Sequence, residues 1–125
     1  MLLPINESPA ETGAIAKASS GCLELIQIAK VVNLNNAIIQ LKKKGFWILG
    51  LDLKGNEDLD LNAIVKLKKI AIVVGSEKKG IRHSINQSCD FLFKIPISPQ
   101  VNSLNVSNAA TIIFYHLREL GNKNI

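Results

Sequence analysis

The apolar positions of this chain fall into short runs divided by polar stretches, and the spacing within each run predicts an element. Ile26 to Val32 is apolar and β-branched, which predicts a strand. Asn33 then reads as an N-cap, with Leu34, Ala37, Ile38 and Leu41 recurring at helical spacing. Lys42, Lys43 and Lys44 occupy the last turn, where cations offset the negative end of the helix dipole, and Gly45 suits the exit. FWILGLD is a compact apolar run that predicts a buried strand ending near Gly50. Lys54 to Asp60 is polar and turn-like, and Leu61 to Leu67 has room for one or two helical turns. Ile70 to Val74 predicts a second buried strand, followed by the loop GSEKKGIR. A short helix is expected over Ile81–Gln87 and a third strand over Phe91–Ile95. The last helix runs from about Leu104 to Leu120, with Leu104, Ala109, Ile112, Ile113 and Leu117 as its apolar stripe. The opening stretch is loop-like, punctuated by Pro4 and Pro9, with a short helix over Glu11–Ala18 stopped by Gly21.

Strands that alternate with helices predict an α/β domain built on a mostly parallel sheet with flanking helices. No repeat, low-complexity tract or linker interrupts the 125 residues, so one domain is expected. With 47% hydrophobic and 20% charged residues the chain is excluded from the disordered class. Aromatics are only 5%, and aliphatic residues without many aromatics suit parallel strands buried on both faces. The formal charge of +5 favours a polyanionic partner through counterion release, and equally fits a basic protein with no such partner. Lysines cluster at Lys42–Lys44 and Lys66–Lys69, which read as solvated faces. A third basic cluster, Lys78–Arg82, lies inside a candidate ligand loop, where Lys78, Lys79 and Arg82 read as phosphate contacts. No aromatic residue interleaves that third cluster to stack a base.

Cys22 and Cys89 form no CxxC pair, and His83 and His116 complete no metal-ligand spacing. Free thiols in a reducing compartment and no metal are expected. No apolar run approaches the roughly 20 residues that span a bilayer, and the first residues lack the pattern of a signal peptide. A cytoplasmic location away from membranes is expected.

In open parallel sheets ligands bind beyond the carboxyl ends of the strands. Three loops belong there: after Leu51, after Val74 and after Ile95. In the second, GSEKKG, two glycines bracket a carboxylate and two lysines. Glycine admits positive φ and lets backbone N–H groups approach a ligand. The loop is neither a Walker A sequence nor GxGxxG, and taken alone it also reads as a βα turn with Ser76 as a helix cap. The third loop, PISPQVNS, is stiffened by Pro96 and Pro99 and leads into SLNVSNAAT. Asn102 or Ser103 is enough to cap the helix. The surplus of Asn105, Ser107 and Asn108 is unfavourable inside a helix and points to a polar or anionic ligand at its start.

Two of these segments resemble a known family. IAIVVGSEKKGIR is similar to the second motif of the SpoU-type (TrmH-like) RNA 2′-O-ribose methyltransferases, and IPISPQVNSLNVSNAATIIFYHL to their third, with SLNVS as its signature. KASSGCLEL, FWILGLD and the helix opening at Asn33 resemble the intervening segments, so the likeness runs from about Lys17 to Leu120. The subgroup it most resembles methylates a guanosine 2′-hydroxyl in large-subunit ribosomal RNA. The resemblance implies a C-terminal trefoil knot, S-adenosylmethionine as cofactor, a ribosomal or transfer RNA substrate and a homodimer. It implies that Gly75, Ile95 and Leu104 hold the cofactor, with the strand-end loop Leu51–Asp52 adding to the adenine side. It places Glu77, Ser103 and Asn105 around the methyl donor and the target ribose.

The same resemblance marks departures. The family's first motif, an Asn-x-Gly…Arg segment whose Arg helps to activate the ribose hydroxyl, is not found; TGAIAK aligns better with the region before KASSG. The chain is therefore expected to begin after the first strand and helix of a catalytic domain, without the family's N-terminal RNA-binding domain. Lys78 and Pro99 stand where Gly is usual, and Asn108 and Thr111 where residues are smaller or apolar. Three readings follow: an RNA ribose methyltransferase, a silent remnant that keeps the cofactor-binding knot and dimer surface, or an unrelated nucleotide-binding α/β module.

Overall fold

The computed structural model describes residues 1–4, 27–75, 80–98, 100 and 106–123. They divide between two compact units, Met1–Ala37 and Ile38–Ile125. In the first, strand β1 (Leu2–Pro4) pairs in parallel with β2 (Ala29–Val31), Leu2 opposite Ala29 and Pro4 opposite Val31. Part of the stretch expected to be a loop is thus a strand. Pro4 is accommodated because it ends an edge strand, where its missing N–H breaks no interior ladder. Strand β2 is shorter than the run from Ile26 to Val32, and Val32 stands 82% exposed beyond its end. The helix expected over Glu11–Ala18, and Cys22, lie outside the described residues.

Helix α1 (Leu34–Lys43) forms where its apolar spacing predicts. The Asn33 side chain accepts the Asn36 N–H at 3.1 Å, satisfying one of the orphan donors at the helix start. Gly45 leaves the helix at φ 89°, a conformation that costs glycine little.

The second unit is organised on a parallel sheet of order β4-β3-β5. Strand β3 (Trp47–Asn56) is central, with β4 (Ile70–Val74) on one side and β5 (Phe91–Phe93) on the other. Trp47 opposes Ile70 and Leu51 opposes Val74 across one edge; Leu49 opposes Phe91 and Leu51 opposes Phe93 across the other. Connecting helices are α2 (Leu61–Val65) and α3 (His83–Ser88), and α4 (Val106–Lys123) closes the chain. The Asp60 carboxylate caps α2 by accepting the N–H groups of Asn62 at 3.0 Å and Ala63 at 3.3 Å. This mixed α/β arrangement with a parallel sheet is the expected class.

Strand β5 stops two residues short of the expected Ile95, α2 stops two short of Leu67, and α4 runs past the expected Leu120 to Lys123. Two further boundaries differ for identifiable reasons. Strand β3 does not stop near Gly50 but stays extended to Asn56, with an irregularity in which Leu51 and Asn56 both oppose Phe93. The Lys94 N–H donates to the Asn56 carbonyl at 3.3 Å, and Gly55 lies so near β5 that an added Cβ would be 2.5 Å from the Phe93 carbonyl carbon. Polar residues tolerate this path because Leu53, Lys54 and Asn56 are exposed. Helix α3 begins at His83 and not at Ile81, because Arg82 is extended at φ −58° and ψ 146°; Ile81 before it is buried, with its N–H accepted by the Asp52 side chain.

The core of this unit joins Leu49, Leu51, Leu61, Ile64, Phe93 and Ile113, with Ile70, Ile72, Ile95, Ala109, Leu117 and Leu120 packed against it. Ile48 and Leu49 are both fully buried, so consecutive β3 residues on opposite faces are covered, as its unbroken apolar run implies. Helix α4 corrects part of the predicted stripe. Ala109, Ile113 and Leu117 face the core, but Ile112 is 45% exposed, and Phe114 and Tyr115 are more exposed still. Only one face of an 18-residue helix is covered here, and Ile112 lies about 100° around it from Ile113. Leu104 lies outside the described residues.

Ile113→Ala should cost about 2–5 kcal/mol, the usual range for truncating a buried aliphatic side chain. Ile39→Ala, at a half-exposed position of α1, should change stability by about 0.5 kcal/mol or less. Urea denaturation followed by circular dichroism would measure both, and equal losses would contradict this account of the core.

Candidate functional site

The candidate site is built where β3 leaves its pairing with β4, at Leu51. At Gly50, one residue earlier, an added Cβ would meet Leu92 at 2.8 Å and the Cys89 Sγ at 2.9 Å. The Cys89 thiol donates to the Ile85 carbonyl at 3.4 Å. Burial pushes its pKa up to about 11, with Asp90 and Asp52 adding to the effect and Lys42 opposing it. At neutral pH it is therefore a thiol that packs, not a thiolate that reacts.

The parallel register sets three strand ends in a row. Leu51, buried, lies level with Val74 and Phe93, so Gly75 follows at one side and Ile95 two residues beyond Phe93 at the other. Ile95 is partly buried against the same core cluster as Leu51. Gly75 is where the next loop turns back on itself. A Cβ there would sit 2.2 Å from the Gly80 carbonyl carbon and 2.4 Å from the Ile81 nitrogen, so only glycine fits. Gly80 closes the loop at φ 64°, in the left-handed region.

Asp52 holds this neck in place. Its Oδ1 accepts the Lys54 N–H at 2.8 Å and its Oδ2 accepts the Ile81 N–H at 3.3 Å. One carboxylate thus ties the chain leaving β3 to the chain leaving the glycine loop. Charge-assisted bonds of this kind are the stronger ones available to a partly buried backbone N–H.

The structure brings together Leu51, Gly75 and Ile95 among the residues singled out from the sequence, and Arg82 follows the loop neck as an exposed residue just before α3. Glu77, Lys78, Lys79, Ser103, Leu104 and Asn105 lie outside the described residues. Two supporting features escaped sequence reasoning: the bracing role of Asp52 and the close backbone crossing at Gly55. A carboxylate directly after a buried strand was the available signal for the first. Gly55 sits in a polar segment that reads as an ordinary turn, so nothing local marked the second.

A model of the SpoU rRNA Methylase family matches residues 2–115, most of the chain. The chain belongs to that family. It is 36% identical over 120 residues to a Bacillus subtilis protein assigned to the TrmH family of tRNA/rRNA methyltransferases, a match covering 94% of this chain and 46% of that protein. This SpoU family member thus spans about half the length of the curated relatives it matches. Among solved structures it is similar to the A. aeolicus TrmH/SpoU tRNA modifying enzyme, with TM-score 0.78 and 25% identity over 99% of this chain and 63% of that one. The AdoMet-bound rRNA methyltransferase from Sinorhizobium meliloti shares the fold, at TM-score 0.82 and 23% identity, over 94% of this chain and 44% of that one.

Gly75→Ala should force the loop neck apart, because its new methyl group meets backbone and not a flexible side chain. Stability should fall by about 1–3 kcal/mol, the usual cost of overpacking. The Ile81 amide should exchange with solvent markedly faster in hydrogen-exchange measurements, and unchanged protection at Ile81 would refute the tight neck.

Proposed function

We propose that this chain carries the cofactor site of an RNA 2′-O-ribose methyltransferase that uses S-adenosylmethionine. The observation that carries the proposal is the convergence of Leu51, Gly75 and Ile95 at one end of a parallel sheet, in a chain that the family model matches over residues 2–115. The groups present fit a nucleoside cofactor: apolar side chains at Leu51 and Ile95, and a glycine neck that leaves backbone groups close to the strand ends. Leu104 belongs to the same proposed set. A single methyltransferase domain is the natural reading of a family match that runs through both compact units. The trefoil knot belongs to the same reading, supported by the resemblance of the third motif and by likeness in fold to SpoU structures.

When bound, the cofactor supplies a methyl group activated by a sulfonium charge. What the protein must add is alignment of the ribose oxygen with that methyl group and removal of the hydroxyl proton. In this reading Glu77, Ser103 and Asn105 surround the donor and the ribose, orienting the hydroxyl and accepting or relaying its proton. Lys78, Lys79 and Arg82 contact RNA phosphates. Asp52 acts one step back, keeping the loop neck where the cofactor groups need it. A location in the cytoplasm, with ribosomal or transfer RNA, follows from the same reading. The alternative reading is a silent remnant that keeps the cofactor-binding knot and dimer surface.

Calorimetry should show S-adenosylmethionine binding, and the purified chain should transfer labelled methyl groups to ribosomal RNA at alkali-resistant positions. Cofactor binding without transfer would favour the remnant. Binding of ATP but not S-adenosylmethionine would overturn both in favour of an unrelated nucleotide module.

A homodimer is part of the proposal, supported by the exposed apolar side chains of Ile112, Phe114 and Tyr115 on α4. Sedimentation equilibrium should give twice the chain mass, with the double variant Phe114→Asp and Tyr115→Asp shifted towards the monomer. A wild-type chain that sediments as a monomer at micromolar concentration would rule the dimer out.

A further inference from the structure

Two lysine runs that are separate in the sequence meet in the fold. Lys42–Lys44 lie at the end of α1, Lys66–Lys69 lead into β4, and β3 and β4 start side by side with Trp47 opposite Ile70. The Trp47 N–H donates to the Lys69 carbonyl at 2.9 Å. The Lys69 ammonium donates to the Lys44 carbonyl at 3.1 Å and stands 5.8 Å from the centre of the Phe46 ring. Lys42 is engaged with Asp90 at 3.5 Å. Lys43, Lys44, Lys66 and Lys68 are exposed and form no ion pair among the described residues. Trp47, which opens β3 at the same end of the sheet, is 45% exposed, with its ring 5.9 Å from that of Phe91.

Helix dipoles account for part of this arrangement, since cations near the carboxyl ends of α1 and α2 offset their negative ends. They do not account for Lys68 and Lys69, which lie beyond the last turn of α2. They also do not explain why the Trp47 indole stays half exposed at this end of the sheet. Exposed ammonium groups and an exposed aromatic ring at one end of a sheet are the combination that binds a single-stranded nucleic acid: the cations take phosphates and the ring stacks a base. The opposing strand ends are about 16 Å away, by the rise of five strand residues, within the reach of one bound RNA.

We propose that this lysine-aromatic end of the sheet binds an unpaired stretch of the RNA substrate, with phosphates on Lys43, Lys44, Lys66 and Lys68 and a base on Trp47. The proposal rests on RNA being the substrate. It gives a function to the first two lysine clusters.

Trp47 is the only tryptophan, so its fluorescence reports on this surface alone. Titration with a short single-stranded oligouridylate should quench it saturably, and the affinity should fall steeply with added salt. Replacing the four exposed lysines together (Lys43→Gln, Lys44→Gln, Lys66→Gln, Lys68→Gln) should weaken binding at least about tenfold at low salt. The slope of log affinity against log salt should become shallower by about 3, because each single-strand phosphate that a lysine neutralises contributes roughly 0.7. Affinity for S-adenosylmethionine should stay the same, which also shows that the variant is folded. Cofactor binding with no quenching by RNA, or an unchanged salt slope in the variant, would overturn the surface and leave the methyltransferase reading intact. Quenching by RNA with neither cofactor binding nor transfer would sink the methyltransferase reading and keep the surface. Quenching by polyglutamate but not by oligouridylate would overturn the proposal in favour of an acidic protein partner.

Discussion

Strand β3 is paired in parallel along both edges, and most of what the second unit does follows from that position. Parallel pairing sends all three strands in one direction, so their carboxyl ends, and the loops that follow, collect at one edge. Burial on both faces demands the aliphatic run of Ile48 and Leu49, and at Gly50 an added Cβ would press on the side chains of Leu92 and Cys89. A displaced β3 would move the ends at Leu51, Val74 and Phe93 out of register together.

Two carboxylates hold this strand at its two ends. At the start, the Asp90 side chain accepts the Ile48 N–H at 2.8 Å while the Asp90 N–H donates to the Ile48 carbonyl at 2.9 Å. Beyond Leu51, Asp52 ties the outgoing chain to the neck of the glycine loop. Both use charged acceptors for backbone N–H groups that the sheet ladder leaves over, where an unmade bond would cost about 1–3 kcal/mol. The ends so held differ in character. One gathers glycines and apolar groups; the other gathers exposed lysines and carries a half-exposed indole.

The buried strands were legible because continuous aliphatic runs have few other fates, and α1 because Asn33, the helical spacing and Gly45 agree. The second strand of the sheet, Ile70–Val74, falls on its predicted bounds. The predicted apolar stripe of α4 held at Ala109, Ile113 and Leu117 and failed at Ile112, since periodicity tells which residues share a face but not how wide a face is covered. The strand at Leu2–Pro4 was missed because its partner lies 27 residues along the chain, at Ala29–Val31, and a three-residue edge strand has no pattern of its own.

By itself the sequence determined the class of fold and the family, because those depend on residue types at fixed spacing along the chain. Gly75 and Ile95 could be singled out as candidates through the family resemblance. Tertiary structure alone decided what depends on distant segments meeting. It set Leu51, Val74 and Phe93 level through the register of the sheet, with Gly75 and Ile95 just beyond. It gave Asp52 the Ile81 N–H, brought Gly55 against the backbone of Phe93, and joined Lys44 to Lys69 across 25 residues of chain. Hydrogen bonds and close packing act over a few ångströms in space, and no local pattern records which remote residues will come that near.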